Sequence, residues 1–437
     1  MTLRQTVRSR ALPLVLGAAL VYVPTAGLSA QRQPPPPQGV RIGLTYSPGS
    51  RPGLFVLPLR GANADSIRAI VSRDLDFGDR ISVIAPDSGA TPVGALNYPL
   101  YARLGAAAVL QMTVSRTGVH AVLHDVGAAR ALSVRELPLK DPPFSAAWRM
   151  TLHLLADDIE RQVTGVAGIA STRVLFVRGG LLWQVDSDGA NAAPIAGAPS
   201  GLSPAWHPQG YTIAYYEMRD DGTHVMMRDL AAGSTRRIST PGGTNSSPTF
   251  APDGRTLVYA SGEDGTDLIA VALDGREPPY RVTVGRGSTN SQPSFAPDGR
   301  RIAFTTSRLG RQEVYITDAD GANPELLTTS GFGDQLYRAD PSWSPDGRFV
   351  AFSTQIEGRF QIATIGLRDR GVKQHTVDGI NEDPSWAPDA RHLVFTSSRT
   401  GSKQLWVLDT ESGRLRQLTR GPASRMAAWS PRLSAAR

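Results

Sequence analysis

The chain has 437 residues, 41% hydrophobic and 19% charged, the proportions of a folded globular protein of two or three domains and not of a disordered or fibrous chain. It contains no cysteine, which excludes disulfides, thiolate metal sites and a lipid-bearing cysteine. The formal charge of +7 falls to +4 without the three arginines of the first thirty residues, and no basic run tracks a phosphate backbone, so nucleic acid is not an expected partner.

Arg4, Arg8 and Arg10 precede an apolar run from Ala11 to Val23, and small residues follow to Ala30. This is the pattern of a secretory signal over residues 1–30. The run is short for a membrane span and no later stretch is long enough, so an exported soluble chain is expected. "QRQPPPPQ", residues 31–38, reads as an extended proline-rich arm.

Residues 39–168 mix strand and helix patterns. "VRIGLTY", "GLFVLPL", "RISVIAP", "AAAVLQMTVSR", "VHAVLHDV" and "ALSVREL" predict strands. "DSIRAIVSRDLDFG" predicts a short helix capped by Asp65 and ended by Gly78. In "FSAAWRMTLHLLADDIERQVTG" the residues Trp148, Leu152, Leu155, Ile159 and Val163 form one apolar stripe, and Gly165 ends the helix. The segment predicts a small α/β domain.

From Thr172 the pattern is strand and turn only. "SPAWHPQG", "SPTFAPDG", "QPSFAPDG", "DPSWSPDG", "DPSWAPDA" and the shorter "MAAWSPRL" place aromatic residues at Trp206, Phe250, Phe295, Trp343, Trp386 and Trp429, in steps of 44, 45, 48, 43 and 43. A period in the forties with four strands per unit is that of propeller blades. The proline ends each anchor strand, since it has no N–H for the ladder. Asp-Gly supplies the tight turn, and the aromatic ring is a wedge between blades. The last anchor has no blade after it, and residues 172–199 have no anchor before them. One blade is therefore expected to combine three early strands with one from the C-terminus. The fold class is an α/β N-terminal domain followed by an all-β six-bladed propeller, residues 169–437, with mixed-terminus ring closure.

"DSDGAN" and "DADGAN" resemble half a calcium loop but lack its third carboxylate and distal glutamate, and read as hairpin turns. His120 and His124 share a strand face without a nearby third ligand, so ordinary sheet histidines are expected and no metal or cofactor. The absence of a Gly-x-Ser-x-Gly elbow argues against a hydrolase. Residues just before each anchor surround one end of the channel: Ser203, Asn245, Asn290, Gln292, Arg338, Asp340, Glu382, Asp383 and Arg425, with Arg308 and Arg399 in neighbouring turns. Together they form a polar interaction surface.

A signal segment, this α/β domain, the "PSWSPDG" repeats and the terminal "AWSPRL" resemble the TolB family, and "VRIGLTYSPGSRPGLFVLPL", "LGAAAVLQMTVSR" and "LSPAWHPQG" are similar to its segments in order and spacing. Thr244 stands where the family carries a histidine. The resemblance implies a non-catalytic, monomeric periplasmic adaptor of the Tol-Pal system. It implies that Asn245, Asn290, Arg338, Asp340, Glu382, Asp383 and Arg425 bind the lipoprotein Pal. Val40, Arg41, Ile42 and Tyr46 would bind the inner-membrane protein TolA. The alternative is a propeller subunit or substrate filter of a secreted hydrolase.

Overall fold

The computed structural model describes residues 51–86, 95–197, 200–240, 242–285, 287–328 and 337–434; the expected signal segment, the proline-rich arm and Val40, Arg41, Ile42 and Tyr46 lie outside them. The first elements are β1 (Gly53–Val56), α1 (Ala64–Phe77), β2 (Ser82–Ile84), α2 (Tyr98–Arg103), β3 (Ala106–Val114), β4 (Gly118–Asp125), β5 (Arg130–Pro138) and α3 (Ala146–Thr164). They form a sheet in the order β2-β1-β3-β4-β5. β1 runs parallel to both its neighbours and the remaining pairs are antiparallel. The stripe of α3 and the residues Ile67, Val71 and Leu75 of α1 pack on Leu54, Val56, Leu110 and Met112. On the other face α2 brings Tyr101 edge-on to Phe55, at 5.0 Å between ring centres. The hydrophobic pattern does not announce α2, because it has only six residues and carries Pro99 in its first turn.

Helix ends follow local chemistry, with one correction. Ser145 caps α3 by accepting the Trp148 N–H, and Gly165 ends it at φ 83. Asp65 does not cap α1: Asn63, at φ 58, holds that place, and Asp65 lies in the first turn, where its charge suits the helix dipole. Gly78 ends α1 in a right-handed conformation. A Cβ there would meet the Glu160 carboxylate at 2.2 Å, so any larger residue would have to displace that side chain. Among the described residues no helix is long and apolar enough to cross a membrane.

Six four-stranded antiparallel sheets follow. Blades I to V begin with the anchor strands Leu202–Trp206, Thr244–Phe250, Asn290–Phe295, Arg338–Trp343 and Asn381–Trp386. The sixth is built as the sequence predicts. Its anchor Ser424–Trp429 pairs antiparallel with Arg173–Arg178, followed by Leu181–Asp186 and Ala193–Pro194. Two wedges reach the preceding blade, the Trp206 indole donating to Ala428 O and that of Trp386 to Ser342 O, while the Trp429 indole donates to Thr172 Oγ1 at the start of its own blade's second strand.

The anchors of blades II to V end in turns in which Asp253, Asp298, Asp346 and Asp389 each accept the backbone N–H two residues on, at 2.9–3.0 Å. The next residue is left-handed: Gly254, Gly299 and Gly347 at φ 71–74, but Ala390 at φ 55, where a side chain is strained. "DSDGAN" and "DADGAN" are hairpin turns, with Asn191 donating to Asp186 and Asn323 to Asp318, both at 2.7 Å.

Because blade VI is shared between the two ends of the propeller, its anchor carries the ring. Truncation before Ser424 removes an inner strand together with Trp429. Loss of one large buried aromatic alone costs about 3–5 kcal/mol, against a typical total of roughly 5–15. Thermal and denaturant unfolding of the truncated chain should show collapse of the whole propeller; an unchanged melt contradicts the closure.

Candidate functional site

Within each anchor strand one residue takes a left-handed conformation: Ser203, Ser247, Gln292, Asp340, Asp383 and Met426, at φ 49–57. The ladder slips at the same place in every blade. Such a bulge re-aims a side chain, and here it turns one residue per blade, followed by Pro in five of the six, into the central channel. These residues line a cavity of about 250 Å³ near the face where the anchors begin.

The lining is asymmetric. Gln292, Asp340 and Asp383 each accept the backbone N–H of the next blade's bulge residue: Asp340 N to Gln292 Oε1 at 3.2 Å, Asp383 N to the Asp340 carboxylate, and Met426 N to Asp383 Oδ2 at 3.3 Å. Ser353 also donates to Asp340 at 2.9 Å, and Thr396 to Asp383 at 3.1 Å. Burial first, and then Asp383 and Glu382, push the Asp340 carboxyl up to about 7. Burial and Glu382 likewise raise that of Asp383. One side of the channel is acidic; Ser203, Ser247 and Met426 line the other.

The structure corrects the role of three predicted contact residues. Asn245 and Asn290 have no exposed surface and Arg338 is buried. Each is the first or second residue of its anchor and reaches back to the third strand of the blade before it. Asn245 donates to Thr223 O at 2.9 Å, Asn290 to Asp267 at 3.0 Å, and Arg338 pairs with Glu313 at 3.0 Å. Asn381 does the same with Gln361 at 2.8 Å. A buried polar group without a partner is costly, so these side chains are spent on joining blades. Arg308 and Arg399 are also engaged, stacked on Tyr315 and Trp406 at 4.7 and 4.9 Å. Of the predicted set Asp340, Asp383, Glu382 and Arg425 remain at the mouth, with Glu382 paired to Lys403 at 2.5 Å.

Sequence reasoning missed the apolar rim. Met218, Val284, Leu309, Tyr337, Val377 and Ile380 are exposed, Val284 and Val377 by more than 70%. Met218 lies at the end of blade I's second strand, and the others lie in loops before an anchor or in the turn between second and third strands, hence on the mouth face. Each is an isolated apolar residue at a strand end or in a polar loop, a pattern that carries no signal until the ring is assembled.

The opposite face meets the N-terminal α/β part through charge. Arg80 pairs with Asp389 at 2.7 Å, and Arg414 with Asp76 and Asp79, both at 2.8 Å. His392 lies fully buried between Asp389 at 2.8 Å and Asp79 at 3.2 Å. His153 is held between Asp74 at 2.6 Å and Asp186 at 3.9 Å. The sets Asp74, His153, Asp188 and Asp79, His392, Asp409 have metal-like spacing. Arginines already occupy those carboxylates: Arg73 and Arg149 on Asp188, Arg391 on Asp409 and Arg414 on Asp79. His120 and His124 are not brought together: they contact Glu136 and Tyr98 separately.

Burial opposes charge on His392, but Asp389 and Asp79 outweigh it and hold its pKa at about 9. Burial likewise opposes charge on His153, and Asp74 with Asp186 lifts it to about 10. A raised histidine stabilises fully below its unfolded value of 6.5 and loses that contribution as pH rises through 9 to 10. Denaturant unfolding should therefore show stability declining from about pH 6.5 to about pH 10. His392→Gln should lower stability at neutral pH by about 3–5 kcal/mol, by breaking a buried pair, and flatten that decline. An unaltered pH profile contradicts the assignment.

A family model described as "TolB beta propeller domain" matches residues 160–433. The chain is 31% identical over 222 residues to the Tol-Pal system protein TolB of Albidiferax ferrireducens, covering 47% of this chain and 49% of that one. It is 29% identical over 231 residues to the protein of the same name from Alcanivorax borkumensis, covering 48% and 52%. It thus spans about half the length of these curated relatives in the matched region. The crystal structure of TolB from Acinetobacter baumannii superposes with a TM-score of 0.74 at 23% identity, covering 87% of this chain and 97% of that one, which establishes a shared fold. With a matching family model over most of its length and the propeller that the family name describes, this chain belongs to the TolB beta-propeller family.

Proposed function

We propose that the chain is a non-catalytic periplasmic adaptor of a Tol-Pal system, exported by residues 1–30 and composed of an arm (31–38), an α/β domain (39–168) and the propeller (169–437). In this reading it binds a Pal-like lipoprotein at the propeller mouth and a TolA-like inner-membrane protein through the arm around Val40, Arg41, Ile42 and Tyr46. It thereby supports outer-membrane integrity and constriction at division. The observation that carries the reading is the mouth face: exposed apolar side chains ring a concave, half-acidic channel. Single exposed apolar residues are ordinary, but a ring of them around a concavity suits a protein partner. Asp340, Asp383, Glu382 and Arg425 supply register and steering. Asn245, Asn290 and Arg338 hold the rim from beneath. The curated relatives are themselves named as Tol-Pal components.

Titration calorimetry with a purified Pal-like lipoprotein domain tests the mouth. Val377→Asp with Ile380→Asp should weaken binding by about 2–4 kcal/mol, as hot-spot losses do, with little change in melting. Arg276→Glu on the opposite face should leave affinity unchanged. Equal losses on both faces place the partner elsewhere.

The arm is tested separately. Val40→Asp with Ile42→Asp should abolish capture of a TolA-like domain, since charges remove the apolar side of an added strand, and should leave Pal binding intact. Undiminished capture removes the arm from the reading.

A further inference from the structure

On the face opposite the mouth, a cleft of about 450 Å³ opens between blades II and III. Tyr280, Phe295, Pro252 and Pro297 wall it, and the charged groups of its lining are Asp253 and Asp298. Each of these carboxylates uses one oxygen on a turn N–H, at 2.9 and 3.0 Å, and among the described residues neither is ion-paired. Two more acids face the same ring: burial, and then Asp320 and Glu277, raise the Tyr280 hydroxyl. The cleft does not run on across the disc. Between blades I and II, His207 fills the corresponding space, edge-on to Phe250 at 5.0 Å and with Nε2 3.0 Å from Gly254 O. Between blades III and IV the wedge is the larger Trp343, covered by Arg301 at 5.2 Å. Blade II carries Ala251 in place of that histidine, and Phe295 stands in place of a tryptophan.

We propose that this cleft binds a free linear polyamine, a short methylene chain carrying two or more protonated amines. The surrounding carboxylates repel an anion. An inorganic divalent cation needs about six oxygen ligands, and these walls are rings and proline carbons. A neutral apolar molecule would strip water from Asp253 and Asp298 without replacing its hydrogen bonds. A polyamine meets both kinds of surface. Its methylenes lie on Tyr280, Phe295 and the two prolines, where burial of apolar area is favourable. Its ammonium groups donate to the carboxylate oxygens that the turns leave free, and an ammonium over a ring face adds a cation–π attraction. The cavity has the volume of a small-molecule pocket. Closure of the flanking clefts by His207 and Trp343 leaves no continuous groove for an extended peptide. Polyamine binding here requires neither Pal nor TolA as a partner.

Equilibrium dialysis of labelled spermidine against the full chain should show one saturable site, weakened by salt. Tyr280→Ala, half-exposed and therefore tolerated, should weaken binding about tenfold, the size of one desolvated cation–π contact, while Tyr280→Phe should retain it. Asp253→Asn with Asp298→Asn keeps the turn acceptors and removes the charges, and should weaken binding about a hundredfold. Without spermidine, none of these changes should lower the melting temperature. Asp369→Asn, in an exposed turn of blade IV, should leave binding unchanged. The absence of a saturable site, or equal losses from Asp369→Asn, overturns the proposal and leaves only general surface charge. Displacement of spermidine by equimolar magnesium overturns it in favour of an inorganic ion. A lysine-containing tetrapeptide that binds as tightly as spermidine overturns it in favour of a side chain from a partner protein.

Discussion

The propeller depends on how each blade is tied to the one before it. The start of an anchor strand reaches back to a polar residue at the start of the preceding blade's third strand: Asn290 to Asp267, Arg338 to Glu313, Asn381 to Gln361. A threonine after the outer strand closes the same group, Thr283 on Asp267, Thr328 on Glu313 and Thr376 on Gln361, at 2.8–2.9 Å. Gln404 and Thr419 repeat the pair in blade V. These buried groups are worth keeping only when all partners are present, so the tie favours a closed ring over any open arc.

The tie also decides which mouth residues are available. It uses the amides and the arginine at the strand starts, and leaves the bulge residues to face the channel and the loop residues to face solvent. The mouth is thus layered: a buried polar seal, a channel wall containing two carboxylates, and an exposed apolar rim. A partner meeting this face gains most from burying the rim, about 25 cal/mol per Å² of apolar surface, while the channel carboxylates set charge preference more than affinity. Burial and the neighbouring Asp383 carboxylate raise the Asp340 carboxyl, so the two channel carboxylates disfavour each other's charge and a cationic group entering the channel would relieve it.

The sequence made the ring legible because the anchor is short, contiguous and repeated: Pro, an aromatic residue and Asp-Gly lie within eight positions. The mixed blade followed from counting strands at the two ends. Side-chain environment was less legible. Asn290 at the beginning of an anchor reads as a loop residue, and only its position opposite Asp267, in a different blade, shows it to be buried. The ionic interface was hidden for a similar reason. Asp79 and His392 lie in different modules, and nothing local marks His392, which follows a routine turn. Helix α2 escaped because it rests on one tyrosine and a cap instead of an apolar stripe.

On the face opposite the mouth, departures from the repeat each have a physical counterpart. In blades II to IV the turn aspartate holds backbone N–H groups and, in blade IV, its own Ser344 and Arg348. In blade V, Asp389 additionally binds Arg80 of the α/β part and His392, and this is the blade whose turn carries the strained Ala390. Blade I replaces the small residue after its wedge with His207 and closes its cleft; blade II keeps Ala251 and opens one. Identical blades would make this face uniform and without a unique place for a second module. Variation in two or three turn positions breaks that symmetry, directing the charged α/β part to one side of the disc and leaving an aromatic, acidic cleft on another.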